Sequence, residues 1–159
     1  MKIIVNNKGA DVELFEQGLE NEWLRQLGEH GSRLTGPRRA IVHILARSQR
    51  ALEPLELYEA VRRDAPGVGL VTVYRTLEAL EELGLVQRIH ESGGCRRYLR
   101  APQGHQHVLL CTRCGQAELF DGDDLEPLFA QVAARWGYSV QDHWLQLFGL
   151  CPKCLAEAK

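Results

Sequence analysis

The chain has 159 residues, 45% hydrophobic and 25% charged, with five cysteines, six histidines and a formal net charge of −2. This is enough for one large domain or two small ones, and no stretch approaches the ~20 apolar residues of a membrane span. The opening MKIIVNNKGADVELFEQ has an apolar run of only three residues, Ile3 to Val5, so it reads as neither a secretory nor a transit leader and the expected location is the cytoplasm.

The small net charge hides a pattern. Residues 1–32 carry 3 basic and 6 acidic side chains, residues 33–100 carry 12 and 8, and residues 101–159 carry 4 and 7. Only the middle is basic, and all 12 of its bases are arginine. Arginine suits bidentate contact with phosphate and guanine, although a solvated arginine-rich surface has the same composition.

Phe15, Leu19, Trp23 and Leu27 recur every four residues, which predicts a helix over 11–30 that stops at Gly31. A second helix begins at Thr35, a residue suited to an N-cap, and carries Ile41, Ile44 and Leu45 as its stripe. The third, EPLELYEAVRRD, has Pro54 in its first turn and Leu57, Tyr58 and Val61 facing inward. After the turn APGVG, a fourth helix places Val73, Leu77, Leu80 and Leu83 at helical spacing and ends at Gly84. The period then changes to two. LVQRIHE and CRRYLRA, joined by SGG, form a hairpin bearing Arg88, Arg96, Arg97 and Arg100. Helices followed by a basic hairpin are the order of a winged helix-turn-helix, whose last helix would be the recognition helix.

APQG, residues 101–104, reads as a linker. Beyond it HQHVLLC and QAELF read as strands. DDLEPLFAQVAARWG reads as an amphipathic helix capped by Asp123 or Asp124, with Leu125, Leu128, Phe129, Val132 and Trp136 inward. YSVQDHWLQLFGLC reads as a last strand. The expected fold class is α+β: a winged-helix DNA-binding domain over 1–100, a hinge at 101–104, and a small α/β domain over 105–159. So small a domain needs a staple or a partner.

The staple is legible. Cys111 with Cys114 and Cys151 with Cys154 form two C-x-x-C pairs with 36 residues between them. Two such pairs can supply four thiolates in the closed tetrahedron of structural zinc, which leaves no open position for catalysis. A redox disulfide is the competing reading. His105 and His107, two apart on a strand, share a face. With Glu126 in the first turn of the helix and His143 on the last strand they make a set suited to Zn²⁺, and less distinctively to Fe²⁺, Mn²⁺ or Ni²⁺; spacing alone leaves this set open. His30 and His43 read as exposed or packing histidines.

Taken together, RLTGPRRAIVHIL, LELYEAV, TVYRTLEALEELGLV, HQHVLLCTRCG and LFGLCPKC resemble the Fur family of metal-dependent transcriptional repressors over roughly residues 33–155. The resemblance implies a homodimer bound to double-stranded operator DNA, with 105–159 as the α/β dimerisation and metal-binding domain, and with no membrane and no small organic substrate as partner. It implies structural zinc on Cys111, Cys114, Cys151 and Cys154 and a regulatory metal on His105, His107, Glu126 and His143. It also implies DNA contacts from Tyr74 and Arg75 with Thr72 nearby, phosphate contacts from Arg38 and Arg39, and wing contacts from Arg96 and Arg97.

One part of the family pattern is missing. Histidines one residue out of step with His105 and His107, which would complete a hinge site, are replaced by Gln106 and Val108. The expected acid is Leu119, with Glu118 one place off, and ARSQRAL has no histidine. His90, Glu91 and Cys95 beside the wing are the alternative site. A three-histidine, one-glutamate site leans toward zinc and a zinc-uptake type of repressor, with Fe²⁺ or Mn²⁺ as alternatives. A peroxide sensor is disfavoured because Arg39 stands where such sensors carry a histidine. No P-loop, G-x-S-x-G or H-E-x-x-H argues for an enzyme, and a metal store or chaperone would not need an arginine-bearing recognition helix.

Overall fold

A computed structural model describes residues 9–90, 96–102, 104, 106–122, 125–141 and 143–157. The chain divides into two compact units, Met1–Ser48 with Leu52–Ala101, and Gln49–Ala51 with Pro102–Lys159.

The first unit contains α1 (Gly9–Glu29), α2 (Gly36–Arg47), α3 (Pro54–Asp64), α4 (Leu70–Glu82) and the antiparallel hairpin of β1 (Val86–His90) and β2 (Arg96–Arg100). The apolar stripes converge on one core: Trp23 and Leu27 from α1, Ile41 and Leu45 from α2, Leu57 from α3 and Leu77 from α4, all nearly inaccessible to solvent. Burying a side chain of this size contributes about 1.5–3 kcal/mol. Phe15 departs from the expected stripe: it is 54% exposed, with the Arg100 guanidinium over its ring at 5.8 Å. His43 is also on the surface rather than packed, with Nδ1 3.0 Å from Glu20 Oε2.

The helix ends follow local chemistry. Pro37 and Pro54 stand in first turns, where a missing N–H costs nothing. Thr35 is the N-cap of α2 by position but makes no side-chain cap bond. Glu53 caps α3 in a reciprocal box with Glu56, whose Oε2 accepts the Glu53 N–H at 2.8 Å. After α4 the chain turns at Gly84 (φ 67°), and the Leu85 N–H returns to the Leu80 carbonyl at 2.9 Å. That left-handed turn suits glycine and aims the chain into the wing.

The second unit contains β3 (Gln106–Cys111), β4 (Ala117–Asp121), α5 (Glu126–Trp136), β5 (Gln146–Gly149) and α6 (Pro152–Ala156). Its sheet order is β4-β3-β5, with β3 antiparallel to β4 and parallel to β5. A parallel neighbour requires a crossover, and α5 lies in it. Gln49–Ala51 add to this unit: Ala51 N–H donates to the Gly115 carbonyl and Ala117 N–H to the Gln49 carbonyl, at 2.8 and 3.0 Å.

The structure departs from the sequence pattern at α5 and at the last strand. The expected stripe of α5 is mostly not inward. The helix has no buried residue; Leu128, Val132 and Trp136 are 53%, 52% and 69% exposed. Its amphipathic pattern is real, and Phe129 packs against His143, but Leu128, Val132 and Trp136 stay open among the described residues. The last strand is also shorter than expected. Pairing with β3 begins at Gln146, so His143 precedes the strand. The expected caps Asp123 and Asp124 lie outside the described residues; Leu125 is the N-cap of α5.

Candidate metal centre and nucleic-acid interface

Cys111 ends β3, Cys114 lies in the turn after it, and Cys151 and Cys154 flank the start of α6. The turn is closed by Gly115, at φ 75°, whose N–H donates to the Cys111 carbonyl at 2.9 Å. Thr112 N–H reaches the Gly149 carbonyl at 2.9 Å and Arg113 Nη1 reaches the Cys154 carbonyl at 3.2 Å, so the two C-x-x-C turns are laced together. Arg50 Nε donates to the Cys114 carbonyl at 2.6 Å. The four sulfurs lie within 4.8 Å of one another, with Cys114 and Cys151 Sγ 3.7 Å apart. A zinc–thiolate bond of ~2.3 Å in a tetrahedron places sulfurs ~3.8 Å apart, so the donor set and its spacing fit zinc.

The thiols do not titrate alike. Burial pushes the Cys111 thiol up, but N–H donors from Cys151, Cys114 and Arg113 outweigh it and bring it down to about 6. Burial, then hydrogen bonding with Cys151, Cys114 and Cys111, pushes Cys154 up to about 12. Burial raises both thiols; what sets them apart is the backbone N–H groups aimed at the Cys111 sulfur. A divalent cation at the four sulfurs would favour the thiolate form at both.

The second candidate set is partly gathered. His107 is 2% exposed and pairs across the sheet with Phe120. Its ring lies 5.1 Å from the ring of His143, which in turn lies 4.0 Å from Phe129. Glu126 and His143 line the same pocket of about 360 Å³, with Phe129, Ala133 and Val140. Thus His143, before β5, neighbours His107 of β3 and shares a pocket with Glu126 of α5. Among the described residues these atoms are not gathered as tightly as the four sulfurs. His105 lies outside the described residues. So do Glu91 and Cys95 of the alternative site, of which only His90, the last residue of β1, has a place in the fold.

On the first unit, α4 presents Thr72 partly buried and Tyr74 and Arg75 exposed, opposite the buried Val73, Thr76, Leu77 and Leu80. Arg39 and Arg96 are exposed. Two of the arginines expected at DNA also make contacts within the unit. Arg38 donates from Nε to Thr76 Oγ1 at 3.3 Å and from Nη1 to the Arg33 carbonyl at 2.9 Å, tying the start of α2 to α4. Arg97 Nε and Nη2 both lie 3.4 Å from Glu53 Oε1, which braces β2 against the N-cap of α3. Neither Thr76 nor Glu53 stood out in the sequence, because a helical threonine and a surface glutamate carry no pattern of their own. Phe129 was read as core, and only the structure puts it against His143.

A winged helix with an exposed, arginine-bearing recognition helix, followed by a domain that gathers thiols and histidines, makes up a metal-responsive DNA-binding regulator. The comparisons agree. The sequence model of the ferric uptake regulator family matches residues 29–148, and the chain belongs to that family. It is 34% identical over 134 residues to the ferric uptake regulation protein of Bacillus subtilis, covering 82% of this chain and 90% of that one. It is 35% identical over 124 residues to the zinc uptake regulation protein of Mycobacterium tuberculosis, covering 78% and 95%. A solved structure of a zinc uptake regulator complexed with zinc and DNA superposes with a TM-score of 0.64 at 25% identity, covering 91% of this chain and 98% of that one.

Proposed function

We propose that this protein is a zinc-responsive, homodimeric repressor of metal-uptake genes. Structural zinc is held by Cys111, Cys114, Cys151 and Cys154, and regulatory zinc by His105, His107, Glu126 and His143. The observation that carries the choice of metal is the buried His107 imidazole beside His143 at the edge of the Glu126 pocket. A nitrogen-rich site with one carboxylate is the donor balance zinc accepts readily.

DNA binding falls to α4 and the wing. Tyr74 and Arg75, with Thr72, face the operator; Arg39 and Arg96 meet phosphate; Arg38 and Arg97 hold that surface in shape from behind. Dimerisation supplies what α5 lacks: Leu128, Val132, Trp136, Trp144 and Phe148 are all at least 45% exposed in the protomer, and an apolar face of that kind fits a second copy. No reaction is assigned to the protein. With zinc in place, His107, Glu126 and His143 would hold β3, α5 and the segment before β5 to one another. Such binding favours the DNA-competent state only through its differential affinity for that state, and operator DNA must tighten the metal by the same factor.

The test is operator binding with Zn²⁺, Fe²⁺ or Mn²⁺ at controlled free concentrations, on protein that keeps its four-cysteine zinc. Zinc is expected to act at the lowest concentration. Activation by Fe²⁺ at concentrations where Zn²⁺ is silent would make the protein an iron-responsive regulator, and metal uptake with no effect on DNA binding would make it a store.

A further inference from the structure

We infer that Gly122 is a positioning residue for the His107–Glu126–His143 site: its missing side chain is the space that the buried imidazole of His107 occupies. A Cβ built on Gly122 would stand 2.1 Å from His107 Nε2 and 2.3 Å from Cδ2, distances at which something must move. For contrast, a Cβ on Gly28 would meet Leu34 at 3.6 Å, an ordinary contact. The backbone gives no other reason for glycine here, because Gly122 is not among the residues with positive φ.

His107 has little room to yield. It is 2% exposed, with Phe120 at 5.5 Å and His143 at 5.1 Å between ring centroids. The other partner that could move is the chain itself. The Gly122 carbonyl accepts the Leu125 N–H at 2.8 Å, and Glu126, the next residue, is the first of α5. A side chain at 122 therefore displaces either the His107 ring or the chain at 122 that leads to Glu126. Both change the spacing of three ligands carried by three different elements. Metal affinity depends on such supporting residues by roughly 10–100-fold.

This inference rests on the regulatory-site reading proposed above, and the experiment separates the two. Gly122→Ala, His107→Ala and the double variant are purified with the four-cysteine zinc intact. Zinc per protomer, competition against a chelator and thermal midpoint are then measured. Gly122→Ala is expected to weaken the second zinc by on the order of tenfold or more and to lower the midpoint when His107 is present. In the His107→Ala background the same substitution should leave the midpoint unchanged, because the ring it strikes is gone. Gly122→Ala with His107→Asp, a shorter ligand that clears the new Cβ, should regain second-site zinc. Equal thermal losses in both backgrounds, or second-site zinc bound by Gly122→Ala as by wild type, would overturn the inference. A wild type that takes up only the cysteine-bound zinc would instead overturn the site reading beneath it.

Discussion

The two units solve the same problem in different ways. In the first, each amphipathic helix finds its partner within the protomer, and Trp23, Leu27, Ile41, Leu45, Leu57 and Leu77 close over one another. In the second, a three-stranded sheet is tied at one end by four thiols, and an amphipathic helix has no fully buried residue. The first unit is stable by what it covers. The second depends on what it binds, a metal ion and a further apolar surface. An amphipathic pattern announces that a face will be covered; it does not say by what.

The largest effect that would break this comparison comes from the thiols. Metal binding to such a site is linked to folding with apparent energies on the order of 10 kcal/mol. Cys114→Ser or Cys151→Ser should therefore abolish the fold of the second unit while the first keeps its own thermal transition. Circular dichroism with differential scanning calorimetry would show one transition lost and one retained. A zinc-free variant with both transitions intact would mean that the sheet stands without its staple.

Core truncation should separate the units next. Leu77→Ala in the first unit should cost about 2–5 kcal/mol in unfolding free energy. Val132→Ala, at a half-exposed position of α5, should cost the protomer little. It should weaken self-association measured by analytical ultracentrifugation. Dimerisation unchanged by Val132→Asp and Trp136→Asp together would place the dimer interface elsewhere.

How the sequence foretold these regions follows the same division. The first unit was readable because its stripes at 3.6-residue spacing, its first-turn prolines and Gly84 all act locally. The four cysteines were readable because C-x-x-C spacing is itself chemistry. Less legible was whatever depends on a neighbour distant in the chain. Phe15 lies on the α1 stripe yet is exposed. His143 falls just short of the strand that pairs with β3. Arg38 and Arg97 look like free cations until Thr76 and Glu53 are placed beside them. Gly122, in FDGDD, looks like any turn glycine until His107 stands against it.

A smaller effect bears on the DNA surface. Arg75→Ala should cost ~1–3 kcal/mol on operator DNA if the side chain reads a base, and less on random sequence. Equal losses on both, with a shallower dependence on salt, would reassign Arg75 to phosphate contact.

The smallest effect lies in the first unit at acid pH. Burial pushes the Glu20 carboxyl up, but hydrogen bonds from Arg47 and His43 outweigh it and hold the group below its ordinary value of 4.5. A carboxylate lowered on folding stabilises above the unfolded value, and that contribution is lost as pH falls through the folded one. Urea unfolding from pH 6 downward should therefore show a decline that Glu20→Gln reduces by up to ~1 kcal/mol. An identical pH dependence in Glu20→Gln would show that the pair contributes nothing.

In the proposed regulation, metal is sensed by the histidine set and not by the thiols. The most direct measurement is operator affinity by fluorescence anisotropy across free Zn²⁺ concentrations, for wild type and His107→Ala, both carrying one cysteine-bound zinc per protomer. Wild type is expected to tighten on DNA as a second zinc is taken up, while His107→Ala stays dimeric and keeps its first zinc but no longer responds. A full zinc response in His107→Ala, lost instead on Cys95→Ala, would move sensing to the wing and rule out the histidine set as the sensor.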